Sequence, residues 1–213
     1  MDPDPSVQRR TSPGRGRPRL VEPRRAAATA REEILDAAAE LFTTRGYAGT
    51  STRRIADAVG IRQASLYHHF ATKDDILTAL LRTTVEPQLE RARVLLDSGG
   101  PALDRLLSLA RFDMTELATA RWNLGVLYLL PELRSGRFDE FNDARQDLAA
   151  AYETLASEAL GDPNDERAIL PFRLVESVIV MRDDEQRGQL GSRTVADLVD
   201  TLVAAIERVV SGP

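Results

Sequence analysis

With 213 residues, 43% of them hydrophobic and 29% charged, the chain has an ordinary globular composition and room for one substantial core or a small domain joined to a larger one. It contains no cysteine, which excludes disulfides and thiolate metal ligands, and its most apolar run, Trp122 to Pro131, is far shorter than the roughly 18 residues that cross a bilayer. The formal net charge of -5 is unevenly placed: Met1 to Lys73 holds 13 Lys+Arg against 8 Asp+Glu, and the remainder 15 against 25. A basic front and an acidic body suit a molecule whose front meets a polyanion while the body is repelled, which orients it on approach.

Residues 1 to 28 are rich in Pro, Arg, Gly and Ala with little apolar content, the composition of a disordered basic arm. The arm lacks the apolar core of a secretory signal, which with the missing membrane span points to a cytoplasmic protein. Order is expected to begin at "TARE", Thr29 to Glu32, a capping box in which Thr29 accepts the N3 amide proton and Glu32 reaches back. Ile34, Leu35, Ala38, Leu41 and Phe42 follow at helical spacing, and Gly46 is suited to end the helix.

Between Thr50 and Phe70 the pattern predicts two short helices. Thr50 or Ser51 caps the first, whose Ile55, Ala56 and Val59 point inward; Gly60 allows a tight turn, and the second begins near Arg62 or Gln63. Two short helices joined at a glycine, with a small alanine at their closest approach, meet the requirements of a helix-turn-helix. "TKDD", Thr72 to Asp75, caps another helix carrying Ile76, Leu77, Leu80 and Leu81. The remainder is helical in pattern, interrupted at Pro87, Gly99 to Pro101, Pro131, Ser135 to Gly136, Gly161 to Pro163 and Gly188 to Gly191. The expected fold is all-α with about nine helices: a DNA-binding unit over 29–73 and a second domain over 74–213.

Near the C-terminus, Leu174, Val175, Val178 and Ile179 mark one helix, with Pro171 either in its first turn or at a kink. The last helix carries a broad stripe of Val195, Leu198, Val199, Leu202, Val203, Ile206, Val209 and Val210. Val175, Val178, Ile179, Leu198, Leu202 and Ile206 are candidates for a four-helix interface between two copies, or for filling the core of one. Phe112, Met114, Trp122, Tyr128, Phe138, Phe141, Tyr152, Phe172 and Met181 are candidates to line an apolar cavity, with Asn123 or Arg121 as polar anchor, or to be core alone.

Glu32 to Leu77 resembles the TetR family of bacterial transcriptional regulators. Leu41-Phe42, Gly46-Tyr47, Thr50, Ile55-Ala56, Gly60-Ile61 and the run Leu66 to Lys73 match the family pattern in order and spacing. The resemblance implies a homodimeric DNA-binding regulator released from a palindromic operator by a small apolar or amphipathic effector, with no cofactor and no membrane partner. It implies phosphate contacts from Tyr67, His68 and Lys73, and from Thr52 and Arg53 at the start of the preceding helix.

In a major groove, Gln63 is suited to adenine, Arg62 to guanine or a phosphate and Ala64 to a thymine methyl, while Ser65 is permissive. Arg62 departs from the family, which often has Ser there, and so forgoes a good N-cap unless a phosphate lies nearby. Adjacent His68 and His69 point about 100 degrees apart on a helix, unsuited to sharing one metal ion; His69 is expected to pack.

Arg15-Gly16-Arg17-Pro18 resembles the core of an AT-hook, whose arginines enter a narrow A·T minor groove; a nonspecific solubilising tail is the alternative. Two other classes of function stay open. One is an A·T-preferring architectural protein without an effector. The other is a small helical enzyme, for which no paired carboxylates, metal spacing or phosphate loop is evident.

Overall fold

Thr29 opens the first helix as its sequence requires. In the computed structural model, which describes residues 27–212, the Thr29 hydroxyl accepts the Glu32 amide proton at 3.2 Å and Glu32 accepts the Thr29 amide proton at 3.0 Å, so both halves of the capping box are made. Helix α1 (Ala30–Arg45) buries Ile34, Ala37, Ala38 and Phe42 and stops at Gly46, whose φ of 76° few other residues accept. Ser51 caps α2 (Thr52–Val59), and Gly60 in the left-handed region (φ 78°, ψ 31°) turns the chain into α3 (Gln63–Tyr67). Thr72 caps α4 (Lys73–Thr83) with a second capping box that uses Asp75.

The body follows as α5 (Glu86–Asp97), α6 (Ala102–Thr119), α7 (Asp139–Leu160), α8 (Leu170–Gln186) and α9 (Val195–Ser211). Among the described residues this makes nine α-helices and no strand, an all-α fold. Helix α6 is the hub, packed against α7, α8 and α9, with α5 closing over α7. Pro171 lies in the first turn of α8, where its missing N–H costs no hydrogen bond, so the helix is not kinked there. None of the helices is long and apolar enough to cross a membrane.

The segment between α6 and α7 departs from its helical pattern. It forms three short 3-10 turns, over Leu124–Leu129, Pro131–Arg134 and Gly136–Phe138. Gly125, Pro131 and Gly136 leave no uninterrupted run long enough for a stable α-helix, so the chain closes tighter i→i+3 bonds instead. Gly125 is required where it sits, because a Cβ there would lie 2.5 Å from Ile179 Cγ1 of α8. Asn123 fixes the same contact by donating its side-chain amide to the Ile179 carbonyl at 2.8 Å. The segment is thereby fastened to the body at one end, and its flanking polar side chains reach α1 and the start of α4.

Candidate functional site

Helix α3 presents most of its surface outward. Leu66 is its one fully buried residue, and it anchors the helix in the core made by α1 and α2. Arg62, Ala64, Ser65, Tyr67 and His68 are exposed around it, and Arg53 is exposed on α2. The side chains of Arg53 and Arg62 have no hydrogen-bond or ion-pair partner among the described residues. The Arg62 side chain supplies no cap to α3, as its residue type implies.

Three of the expected contact residues instead hold one another. The Gln63 amide nitrogen donates to Thr52 Oγ1 at 3.0 Å and to the Tyr67 hydroxyl at 3.2 Å, and the Thr52 and Tyr67 oxygens are 3.1 Å apart. This triangle fixes α3 against the start of α2. It also occupies both donors of Gln63, so pairing with adenine requires that side chain to turn away from its neighbours. Lys73 has an internal role too: its ammonium donates to the Tyr47 and Thr50 carbonyls at 2.9 and 3.1 Å and lies 3.9 Å from the Tyr47 ring centroid, which clamps the corner between α1 and α2. His69, expected to pack, is exposed, because the helix ends at Tyr67 and the chain turns before Phe70 supplies the buried ring. Arg15 and Arg17 lie outside the described residues.

Two side-chain clusters tie this unit to the body. Asp36 of α1 accepts from Trp122 Nε1 at 2.8 Å and from Arg121 at 3.0 Å. Arg137, from the last 3-10 turn, donates to Thr72 Oγ1 at 3.0 Å and Asp75 Oδ1 at 2.7 Å at the start of α4, with Asp74 at 3.6 Å. Tyr47 completes this cluster by donating its hydroxyl to Asp74.

Behind these clusters the body encloses two small cavities that share Thr84, Gln88 and Leu117 as wall residues. One, of about 110 Å³, is lined among others by Trp122, Asn123 and Arg182; the other, of about 30 Å³, by Asp113, Tyr128, Arg145, Phe172 and Glu176. Of the expected cavity residues, Trp122, Asn123, Tyr128 and Phe172 therefore do face the space. Phe141 stands one layer back, its ring 5.4 Å from that of Tyr128, and Tyr152 is fully buried behind Phe172 at the same ring spacing. Phe112 and Met181 are half-buried and line neither cavity, while Met114 and Phe138 are core.

Apart from Asn123, the polar wall is not among the sequence-based candidates. Gln88 and Asp113 are buried, 6% and 2% exposed, at positions where an amphipathic helix places apolar residues: Asp113 follows Leu106 and Leu109 on the inward face of α6. Burial pushes the Asp113 carboxyl up to about 7; the hydrogen bond it accepts from Tyr152 at 2.7 Å works against this, and Glu116 adds to it. Arg145 of α7 pairs with Glu176 of α8 and lies over the Tyr128 and Phe172 rings. Arg182, only 8% exposed, donates to the Leu117 and Ala120 carbonyls and so caps the C-terminus of α6.

The expected interface residues need correction. Val175, Val178 and Ile206 are buried within the single chain, and Ile179 packs over Gly125, so these four belong to its core and cavity wall. Leu198 and Leu202 keep accessible surface on α9. The outward apolar residues of α8 are different ones: Leu170 and Val180 are 42% and 61% exposed.

The tetR family model of bacterial regulatory proteins matches residues 34–80, from α1 into α4. The crystal structure of AmtR from Mycobacterium smegmatis is 52% identical and superposes with a TM-score of 0.82 over 90% of this chain and 91% of that one. The transcriptional repressor KstR2 of Mycobacterium tuberculosis is 42% identical over 88 residues, a match that takes in 40% of this chain and 44% of the repressor's length. The crystal structure of KstR2 from the same organism is 25% identical, with a TM-score of 0.70 over 87% of this chain and 95% of that one. With a relative of 52% identity matched along nearly its whole length, and the family model falling on the helix-turn-helix, the chain belongs to the tetR family of bacterial regulatory proteins.

Proposed function

We propose that this protein is a cytoplasmic, homodimeric transcriptional repressor that binds a palindromic operator and is released from it by a small effector held in the body cavities. The observation that carries this reading is α3: a helix anchored by one buried leucine, with unpaired Arg62 at its leading end and Tyr67 and His68 exposed behind it. That is the form of a rod placed in a major groove, with base contacts from Arg62, Gln63, Ala64 and Ser65 and phosphate contacts from Thr52, Arg53, Tyr67 and His68. Residues 29–73 act as the DNA-binding unit and residues 74–213 as the effector and dimer domain.

A single α3 reads too few bases for an operator. Two copies joined through the outward faces of α8 and α9, with Leu170 and Val180 against Leu198 and Leu202, set their recognition helices one DNA turn, about 34–36 Å, apart. The effector acts through contacts already present. Thr83 and Thr84 at the end of α4, and Asn123 to Gly125 at the start of the 3-10 segment, line one cavity wall. Any ligand that enlarges this space pushes on α4 and on the segment whose Trp122 and Arg137 hold α1 and α4. A differential affinity of about 1 to 3 kcal/mol between the DNA-bound and released arrangements suffices for regulation. None of these steps requires a catalytic residue.

Footprinting on the DNA flanking its own gene tests this reading: a short protected palindrome is expected, while diffuse A·T-rich coverage favours the architectural alternative and no protection favours the enzyme. Removing residues 1–24 is expected to weaken operator binding and to lower the slope of log affinity against log salt by about 0.9 for each phosphate that is no longer neutralised. An unchanged salt titration would mean that the basic arm takes no part.

A further inference from the structure

The cavity wall carries polar atoms that the other described residues leave without partners. Gln88 Oε1 of α5 and Asp113 Oδ1 of α6 are buried acceptors with no hydrogen-bond partner among the described residues, and both residues line the smaller cavity. The charges of the cations around this space are answered elsewhere: Arg145 pairs with Glu176, though its Nε keeps no hydrogen-bond partner among the described residues, and Arg182 donates to the last carbonyls of α6. Among the described residues Asp113 receives only the Tyr152 hydroxyl, on its other oxygen. The nearby formal charges without a positive partner are thus acidic, Asp113 together with Glu116 one turn along α6. Beside them Leu148, Phe172 and Val175 provide an apolar floor.

Resting on the effector-regulated reading above, we infer that the effector is a small organic ammonium or amidinium compound, its N–H donors held by Asp113 Oδ1 and Gln88 Oε1 and its short apolar stem lying on Leu148, Phe172 and Val175. An anionic ligand would meet the unpaired Asp113 carboxyl and the Gln88 acceptor, and the one donor left over in this wall, Arg145 Nε, belongs to a guanidinium whose charge Glu176 already balances. A purely apolar ligand would leave both acceptors buried and unpaired. The cavities, about 110 and 30 Å³, are also well below the roughly 300 Å³ at which drug-sized pockets begin, so the head group and a few carbons are all that fit without rearrangement. Burial places Asp113 near neutrality, so at neutral pH a cation in contact with it draws the carboxyl to its ionised form and binding releases a fraction of a proton.

The test uses the full chain, with n-butylammonium chloride, sodium butyrate and 1-butanol as size-matched probes, read by calorimetry and by operator affinity. n-Butylammonium is expected to bind, to release protons near pH 7 and to weaken operator binding, while butyrate and butanol do neither. Asp113→Asn, which keeps an acceptor for Tyr152, is expected to bind n-butylammonium about 10- to 100-fold more weakly, and Gln88→Met to show a smaller loss. Binding of butyrate or butanol in place of the ammonium, undiminished ammonium binding by Asp113→Asn, or no binding of any probe overturns the inference. Failure of the unliganded chain to bind operator would instead overturn the regulator reading, and calorimetry, which needs no DNA, would still decide the chemistry of the cavity.

Discussion

Replacing Arg62 by alanine is expected to lower operator affinity at least about 30-fold while leaving the protein's stability within about 0.5 kcal/mol of the parent. Arg62 is exposed at the leading end of α3 and has no partner among the described residues, so its removal breaks nothing inside the fold. It also takes a positive charge away from the positive end of a helix dipole, which if anything favours the free protein. On DNA the balance reverses: one such contact is worth about 1 to 3 kcal/mol, and a symmetric dimer loses two at once. The same titration separates the two roles open to this side chain. If Arg62 reads guanine, the loss is confined to the specific operator and the salt slope holds; if it grips phosphate, nonspecific DNA weakens too and the slope falls by about 0.9 for each phosphate released. Unchanged affinity for every DNA would remove α3 from the interface.

The reason Arg62 can be singled out is that the helix-turn-helix is written in local signals. Thr29, Ser51 and Thr72 cap α1, α2 and α4, each by accepting an amide proton from the third residue along, and Gly60 makes a turn that depends on one residue's freedom at positive φ. Such features need no knowledge of the rest of the chain. How exposed polar groups are shared is another matter. Residue type directs Gln63 to bases and the family resemblance directs Lys73 to phosphates, yet Gln63 is held by Thr52 and Tyr67, and Lys73 by the carbonyls of Tyr47 and Thr50. A long polar side chain has many partners within reach, and its sequence neighbours do not say which it takes.

The body is legible in its elements and much less so in its faces. The number of α-helices and the place of Pro171 follow from periodicity and proline geometry, but α8 is apolar on two sides, and spacing alone does not say which side turns inward. The inward side proves to be Val175, Val178 and Ile179, leaving Leu170 and Val180 outside. The cavity shows the converse problem. Aromatic residues are the natural candidates, but what distinguishes this space chemically is Gln88 and Asp113, polar residues at inward positions of α5 and α6. A charge on an apolar stripe is the signal the sequence does carry, and it points to a site more sharply than another ring does.

Asp113→Asn should also reveal that carboxyl through stability. In the folded chain Asp113 is held near 7 by burial, well above its ordinary value of 3.8. The groups that face it are Glu116 on its own helix, Tyr152 and Arg145 from α7, Glu176 from α8, Gln88 from α5 and Tyr128 from the 3-10 segment. Because the folded state holds the proton more tightly than the unfolded chain, the contribution of Asp113 is fully present below about pH 4. It declines by up to about 1.4 kcal/mol per pH unit as pH rises from there toward 7 and is gone above that. Asparagine is neutral throughout and still accepts from Tyr152, so the variant escapes the decline. The expected result is near equality with the parent at about pH 4 and an advantage for Asp113→Asn that grows with pH to about 1 to 3 kcal/mol at pH 8, measured by urea unfolding without added ligand. A difference that does not change with pH would mean that Asp113 is already compensated in the folded chain. If the advantage at pH 8 vanishes when n-butylammonium is added, the added cation stabilises the ionised parent and not the variant, which joins the stability of the body to the chemistry of what it binds.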